Sequence, residues 1–180
     1  MIFKEQTIDK QKELLEKAIE FACHAHHGQM DKAGMPYILH PLAVMGRCNT
    51  LFTMVCAVLH DVVEDTPYTL SNIDIMFGAD VAACVDSLSR RDKETYKNYI
   101  LRLSEDENAV QIKLFDIEHN SSPERLKWAE ENNYLGDLMK RYKWAKDYLL
   151  NKVSQLPLPK GRGLSKGVNP LTWHVDKRSY

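Results

Sequence analysis

A chain of 180 residues with 44% hydrophobic and 27% charged content suits one globular domain with its own core. Its formal net charge of -1 gives no general attraction to nucleic acid or to an anionic membrane, so neither is predicted as a partner. No apolar run approaches bilayer length, Met1–Glu5 has no signal-like apolar core, and Cys23, Cys48, Cys56 and Cys84 form no Cys-x-x-Cys pair; a cytoplasmic protein with reduced, mostly buried thiols is predicted. The spacing of Ile8, Leu15, Ala18, Ile19 and Ala22 predicts a helix over Thr7–His27. Its closing histidines, His24, His26 and His27, read as partly exposed residues near a helix C-terminus, where cations are favoured. Gly28 to Pro41 is punctuated as a loop, with Pro41 opening a short helix to Cys48 at its first position.

A central helix is predicted over Thr53–Glu64, ended by Thr66-Pro67. Thr69 or Ser71 caps the next helix, which runs to Phe77, and Gly78 separates it from a helix over Ala79–Leu88. Ser89–Glu94 is polar and basic, either a solvated loop or a cationic rim for phosphates. Helices follow over Thr95–Leu103 and Asn108–Asn120, another starts at Ser121–Arg125, and a long one spans Tyr134–Val153. Trp128, Trp144 and Tyr148 read as core or edge packing. With no convincing strand pattern the class is all-α: one domain over 1–153 and a Pro/Gly-rich, flexible tail over 154–180.

The chemistry concentrates in Ala57–Thr66. On one continuous helix, His60, Asp61, Glu64 and Asp65 fall within an arc of about 140°. Such crowded charge at the end of an apolar run is costly unless compensated, and a divalent cation accepting imidazole nitrogen and carboxylate oxygen is the simplest compensation. Acids reaching water at a helix end are the plainer alternative. His40, held before Pro41, is a good fixed ligand or an ordinary loop histidine. Lys113, Asp116 and Asn120 lie three and four apart and form one stripe, which a simple surface ion pair with a helix-ending Asn would also explain.

Three segments in order resemble the HD-domain metal-dependent phosphohydrolases, most of all the hydrolase domain of the RelA/SpoT alarmone enzymes and their small stand-alone relatives. They are Gly34-Met35-Pro36-Tyr37-Ile38-Leu39-His40-Pro41, the His60–Thr66 run and Lys113-Leu114-Phe115-Asp116 with Asn120; Phe77-Gly78 matches as well. The resemblance spans roughly Ala18 to Leu126. It implies an all-helical HD-domain bundle with a metal site between helices. His40, His60, Asp61 and Asp116 would hold one divalent metal, usually manganese, with iron also suited. Glu64 and Asp65 would work on the attacking water, and Asn120 would contact the nucleotide. The implied reaction is removal of the 3′-pyrophosphate from guanosine 5′,3′-bis(pyrophosphate), ppGpp, the alarmone of the stringent response. The length leaves no room for the synthetase domain of the long enzymes, so the implied activity is degradative.

Asp61, Glu64, Asp65 and Asp116 supply four negative charges, of which one divalent metal offsets two. A polyphosphate therefore calls for cations, and Lys32, Lys113 and some of Arg90, Arg91 and Lys93 are expected to line its approach. The chain departs from the family at Gln29-Met30-Asp31-Lys32, where alarmone hydrolases usually carry an Arg that helps hold the guanine. An acid at Asp31 cannot donate to base acceptors or stack as a guanidinium does. Hydrolysis of another nucleotide, such as an adenine alarmone or a nucleoside phosphate, is thus a second reading. A non-catalytic nucleotide-binding module is a third, against which the complete metal set argues.

Overall fold

The structure is a computed structural model that describes residues 1–155. Within them the fold is all-helical, with one isolated bridge between Met30 and Pro36. A short 3-10 turn at Phe3–Glu5 precedes α1 (Ile8–Ala25), α2 (Leu39–Met45), α3 (Leu51–Leu59), α4 (Val62–Asp65) and α5 (Leu70–Phe77). Then come α6 (Ala79–Leu88), α7 (Tyr96–Leu103), α8 (Glu107–Asn120), α9 (Pro123–Glu131) and α10 (Leu135–Gln155). The long last helix reaches into the range expected as tail, and the rest of that tail, from residue 156, lies outside the described residues.

α3 is the hub, and its composition explains why. Phe52, Thr53 and Val55 to Leu59 are all buried, so it is apolar around its circumference, as a core helix must be. It packs against α1, α2, α6 and α8. Each such aliphatic side chain contributes about 1.5–3 kcal/mol by leaving water. Its start is fixed by Thr50, whose hydroxyl accepts the Thr53 amide. Thr7, Thr69 and Thr95 cap α1, α5 and α7 in the same way, and Thr69 forms a reciprocal capping box with Asn72.

Several expectations are corrected here. The expected single helix over Thr53–Glu64 is broken: α3 stops at Leu59, His60-Asp61 form a turn, and α4 is a separate short helix. The break has a local cause. The His60 ring donates from Nδ1 to the Ala57 carbonyl at 2.7 Å, taking an acceptor that a continuing helix would use, and Asp61 sits at φ -97°, ψ -6°. Pro41 is the third residue of α2, not the first, still within the turn whose amides lack helical partners. Leu14, not Ile8, begins the buried stripe of α1, and His26 is buried. Of the free cysteines, Cys56 and Cys84 are buried, Cys48 is half-buried and Cys23 is exposed. Trp144 is exposed and stacks on Tyr148 at 5.7 Å.

Gly78 joins α5 to α6 at φ +105°, and a β-carbon there would come within 2.5 Å of the Met1 carbonyl oxygen. The Asp80 carboxylate accepts the Phe3 and Lys4 amides, which pins the N-terminal turn onto α6. No helix among the described residues is long and apolar enough to cross a membrane.

Candidate metal centre

α2, the α3–α4 turn and α8 bring His40, His60, Asp61 and Asp116 together. His40 Nε2 lies 3.0 Å from Asp116 Oδ1 and 3.6 Å from Asp61 Oδ2. His60 Nε2 lies 3.0 Å from Asp61 Oδ2 and 3.9 Å from Asp116 Oδ1. The donor atoms of His40, His60 and Asp116 all fall within 4.8 Å of one another. Ligands about 2.0–2.2 Å from one ion stand about 3–3.6 Å apart, so three of the four separations suit a shared cation and the 3.9 Å between His60 Nε2 and Asp116 Oδ1 is slightly wide.

The ring tautomers point the same way. With Nδ1–H of His60 given to the Ala57 carbonyl, Nε2 is the nitrogen left to face a cation, and that atom is buried without a hydrogen-bond partner among the described residues. His40 Nδ1 meets His119 Nδ1 at 2.8 Å, the rings 4.9 Å apart. One proton serves that contact. If His40 donates it, His119 accepts and His40 Nε2 is left free for a metal. Burial and the neighbouring His40 keep the His119 pKa low, which favours its neutral, accepting form.

Both aspartates are held ionised. Burial opposes the charge on Asp61 and Asp116, but the histidines, and Lys113 beside Asp116, outweigh it and hold both carboxyls below the usual range. Burial likewise opposes protonation of His60, and Asp61 and Asp116 overcome it, lifting its pKa to about 9, so the same two carboxylates that hold a proton at Nε2 would hold a cation that displaces it. Asp116 has both oxygens occupied: Lys113 Nζ lies 2.6 Å from Oδ2 and Asn120 Nδ2 donates to Oδ1 at 2.6 Å. The stripe expected on α8 is thus one connected unit. Lys113 is committed to Asp116 and is not a free surface cation.

Glu64 and Asp65 flank the cluster on α4. Burial raises both above the usual carboxylate range. Glu64 Oε2 accepts the Arg90 amide at 2.9 Å. The Tyr37 hydroxyl lies 2.7 Å from Asp61 Oδ2 and 2.9 Å from Asp65 Oδ2, so its single proton is shared between two acids. Gln29 ties the first loop to this edge, donating to the Asp65 carbonyl and receiving the His26 Nδ1 proton. Tyr37, His119, His26 and Gln29 were not singled out as site residues from the sequence.

The basic segment Ser89–Glu94, expected as a solvated loop or a cationic rim, is a loop tied by its own ion pairs and hydrogen bonds. Arg91 pairs with Asp86, and Arg90 Nε donates to the Glu94 carbonyl. Glu94 receives Nε and Nη2 of Arg102 and the Arg91 amide, and Arg102 also binds the Asp86 and Ser89 carbonyls. This knot fixes the loop that offers the Arg90 amide to Glu64. The Arg102 hydrogen bonds hold the Glu94 pKa at about 2, down from 4.5. Its contribution is therefore complete above pH 4.5 and fades as pH falls toward 2. Glu94→Gln is expected to cost about 1–2 kcal/mol in urea unfolding at pH 7. The difference from wild type should shrink below pH 4.5, whereas a difference unchanged down to pH 3 would show that charge is not what holds the loop.

Beside the centre lies a cavity of about 380 Å³ whose wall includes Tyr37, Asp65, Asn120, Arg125, Trp128 and Tyr142. That volume lies within the usual span of small-molecule sites, about 300–1,000 Å³. Lys32 Nζ stands 3.9 Å from the centre of the Trp128 ring, and Trp128, expected as core or edge packing, lines the cavity.

The HD domain pattern matches residues 18–116, from α1 to the buried aspartate of α8. The chain is 40% identical over 111 residues to a guanosine-3′,5′-bis(diphosphate) 3′-pyrophosphohydrolase of Haemophilus influenzae, covering 53% of this chain and 16% of that one. It is 32% identical over 130 residues to a GTP pyrophosphokinase of Myxococcus xanthus, covering 62% of this chain and 17% of the relative. The chain thus spans about a sixth of the length of these relatives. A solved structure described as "A metazoan ortholog of SpoT hydrolyzes ppGpp and plays a role in starvation responses" shares the fold, with TM-score 0.55 at 21% identity, over 79% of this chain and 97% of that chain. The matched pattern covers more than half of the 180 residues and contains His40, His60, Asp61 and Asp116, and the chain therefore belongs to the HD-domain family.

Proposed function

We propose that this chain is a manganese-dependent cytoplasmic phosphohydrolase that removes the 3′-pyrophosphate from guanosine 5′,3′-bis(pyrophosphate), taking up one water and releasing GDP and pyrophosphate. The observation that carries the reading is the convergence of two imidazole nitrogens and two ionised aspartates beside a nucleotide-sized cavity. The names of the relatives supply the substrate class. His40, His60, Asp61 and Asp116 would hold the ion, and such a nitrogen and carboxylate set suits manganese, or iron. Bound there, a divalent metal would lower the pKa of a water and offset phosphoryl charge.

The remaining work falls to the chain's own groups. Glu64 and Asp65 have raised proton affinity, which suits residues that take a proton from the attacking water. Lys113 and Asn120 hold Asp116 in one orientation, so the ligand set is fixed before substrate arrives. Lys32 brings a positive charge to the cavity for phosphate oxygens, and Asn120 stands where the nucleotide would meet the centre.

Purified protein stripped with a chelator is expected to be inert, and manganese should restore equimolar GDP and pyrophosphate from the tetraphosphate. Orthophosphate release, or turnover of adenine nucleotides alone, would select another phosphohydrolase. No turnover of a nucleotide panel with manganese or iron would leave only a binding module.

A further inference from the structure

Asp31, the acid that interrupts the first loop, is committed to the protein on both of its oxygens. Its Oδ1 accepts the amides of Ala33 and Met35 at 2.9 and 3.0 Å, which closes the turn carrying Lys32. Its Oδ2 accepts Arg125 Nη1 at 2.7 Å. The pair is largely buried, with side-chain exposures of 18% for Arg125 and 8% for Asp31. Arg125 comes from the first turn of α9, far along the chain, and its Nε donates to Asn120 Oδ1 at 3.0 Å. Asn120 in turn donates to Asp116. One polar chain therefore runs from the loop, through Arg125, to the metal centre.

Arg125 also lines the cavity, and its Nη2, which carries two N–H donors, hydrogen-bonds to none of the described residues. A guanidinium held on two sides by an acid and an amide is preorganised: its plane is set before binding, and little rotamer entropy remains to be lost.

We propose that Arg125, clamped by Asp31 and Asn120, is the base-reading residue of the cavity and selects a 6-oxopurine nucleotide over a 6-aminopurine one. Guanine offers two acceptors, O6 and N7, on one edge, whereas adenine replaces O6 with an amino donor that opposes an N–H. The guanidinium that reads the base is delivered by α9, and the loop acid serves as its anchor. This deepens the proposed hydrolysis and rests on it for the identity of the substrate, but the cavity can be tested without turnover.

The experiment is calorimetric binding of GDP and of ADP to the full chain, beside hydrolysis of the guanosine and adenosine bis(pyrophosphates). Wild type is expected to bind GDP about tenfold or more tighter than ADP. Arg125→Lys keeps a cation for Asp31 but loses the free Nη2 donors that face the cavity, and should bring the ratio below about threefold. Arg125→Gln should do the same. Loosening of Asn120 would weaken both nucleotides alike, so the ratio isolates base reading from a structural role. A preference retained in Arg125→Lys, or absent from wild type, overturns the assignment. If wild type discriminates in binding but hydrolyses neither compound, the hydrolase reading fails and the assignment of Arg125 stands.

Discussion

Replacing His60 with alanine is expected to abolish stoichiometric metal binding and to lower turnover about a thousandfold or more, while the helices remain folded. The expectation follows from how His60 is used. Its Nδ1–H caps the carbonyl of Ala57 at the end of α3, and its Nε2 is a buried nitrogen with no hydrogen-bond partner among the described residues, set between Asp61 and Asp116. Truncation removes that nitrogen and leaves one helix-end carbonyl without its ring partner, a modest cost of about 1–3 kcal/mol. Asp116→Ala should match it in activity but differ in stability. Lys113 Nζ sits 2.6 Å from Asp116 with only 15% of its side chain exposed, so losing the carboxylate strands a largely buried ammonium. Breaking such a pair from one side costs about 3–5 kcal/mol. Metal content by elemental analysis, read beside urea unfolding of both variants, separates a lost ligand from a lost fold. His60→Ala with wild-type metal content and turnover would place the reactive centre elsewhere.

The contrast between these two residues shows what the amino-acid order reveals. Helix starts were legible because Thr7, Thr69 and Thr95 are polar residues just ahead of apolar stripes, and capping is a local interaction. The Lys113–Asp116–Asn120 stripe was legible because residues three and four apart must share a helix face. The break after Leu59 was not, since it depends on a ring nitrogen competing for a carbonyl, and the apolar run gives no sign of it. His26 could have been found: it lies four residues beyond Ala22 and eight beyond Ala18, on the buried stripe of α1. His119 carries a weaker signal, three residues after Asp116 on the same helix, but its partner, 79 positions away, is a tertiary contact. Arg125 had no local signal. Asp31 reads as the loss of a base contact until the fold brings a guanidinium to it from 94 residues away.

Glu64→Gln is expected to lower kcat by about 10²–10⁴ with metal content unchanged, whereas Asp65→Asn should cost only about tenfold. The two acids are unequal in the structure. Glu64 receives one amide, from Arg90, at Oε2, and its other oxygen makes no hydrogen bond among the described residues. Burial, more than any neighbouring charge, raises its pKa, so it holds a proton more readily than a surface glutamate. Glutamine preserves an oxygen for the Arg90 amide and removes only the ability to take up a proton, so the loop knotted by Glu94 and Arg102 stays in place. Asp65 instead spends Oδ2 on the Tyr37 hydroxyl that also meets Asp61. Its amide variant can still accept that proton through its carbonyl oxygen, so the loss should appear mainly as a looser Asp61. The acid limb of the kcat–pH profile is the deciding measurement. It should disappear in Glu64→Gln and persist in Asp65→Asn, and the opposite pattern would assign the proton acceptor to Asp65.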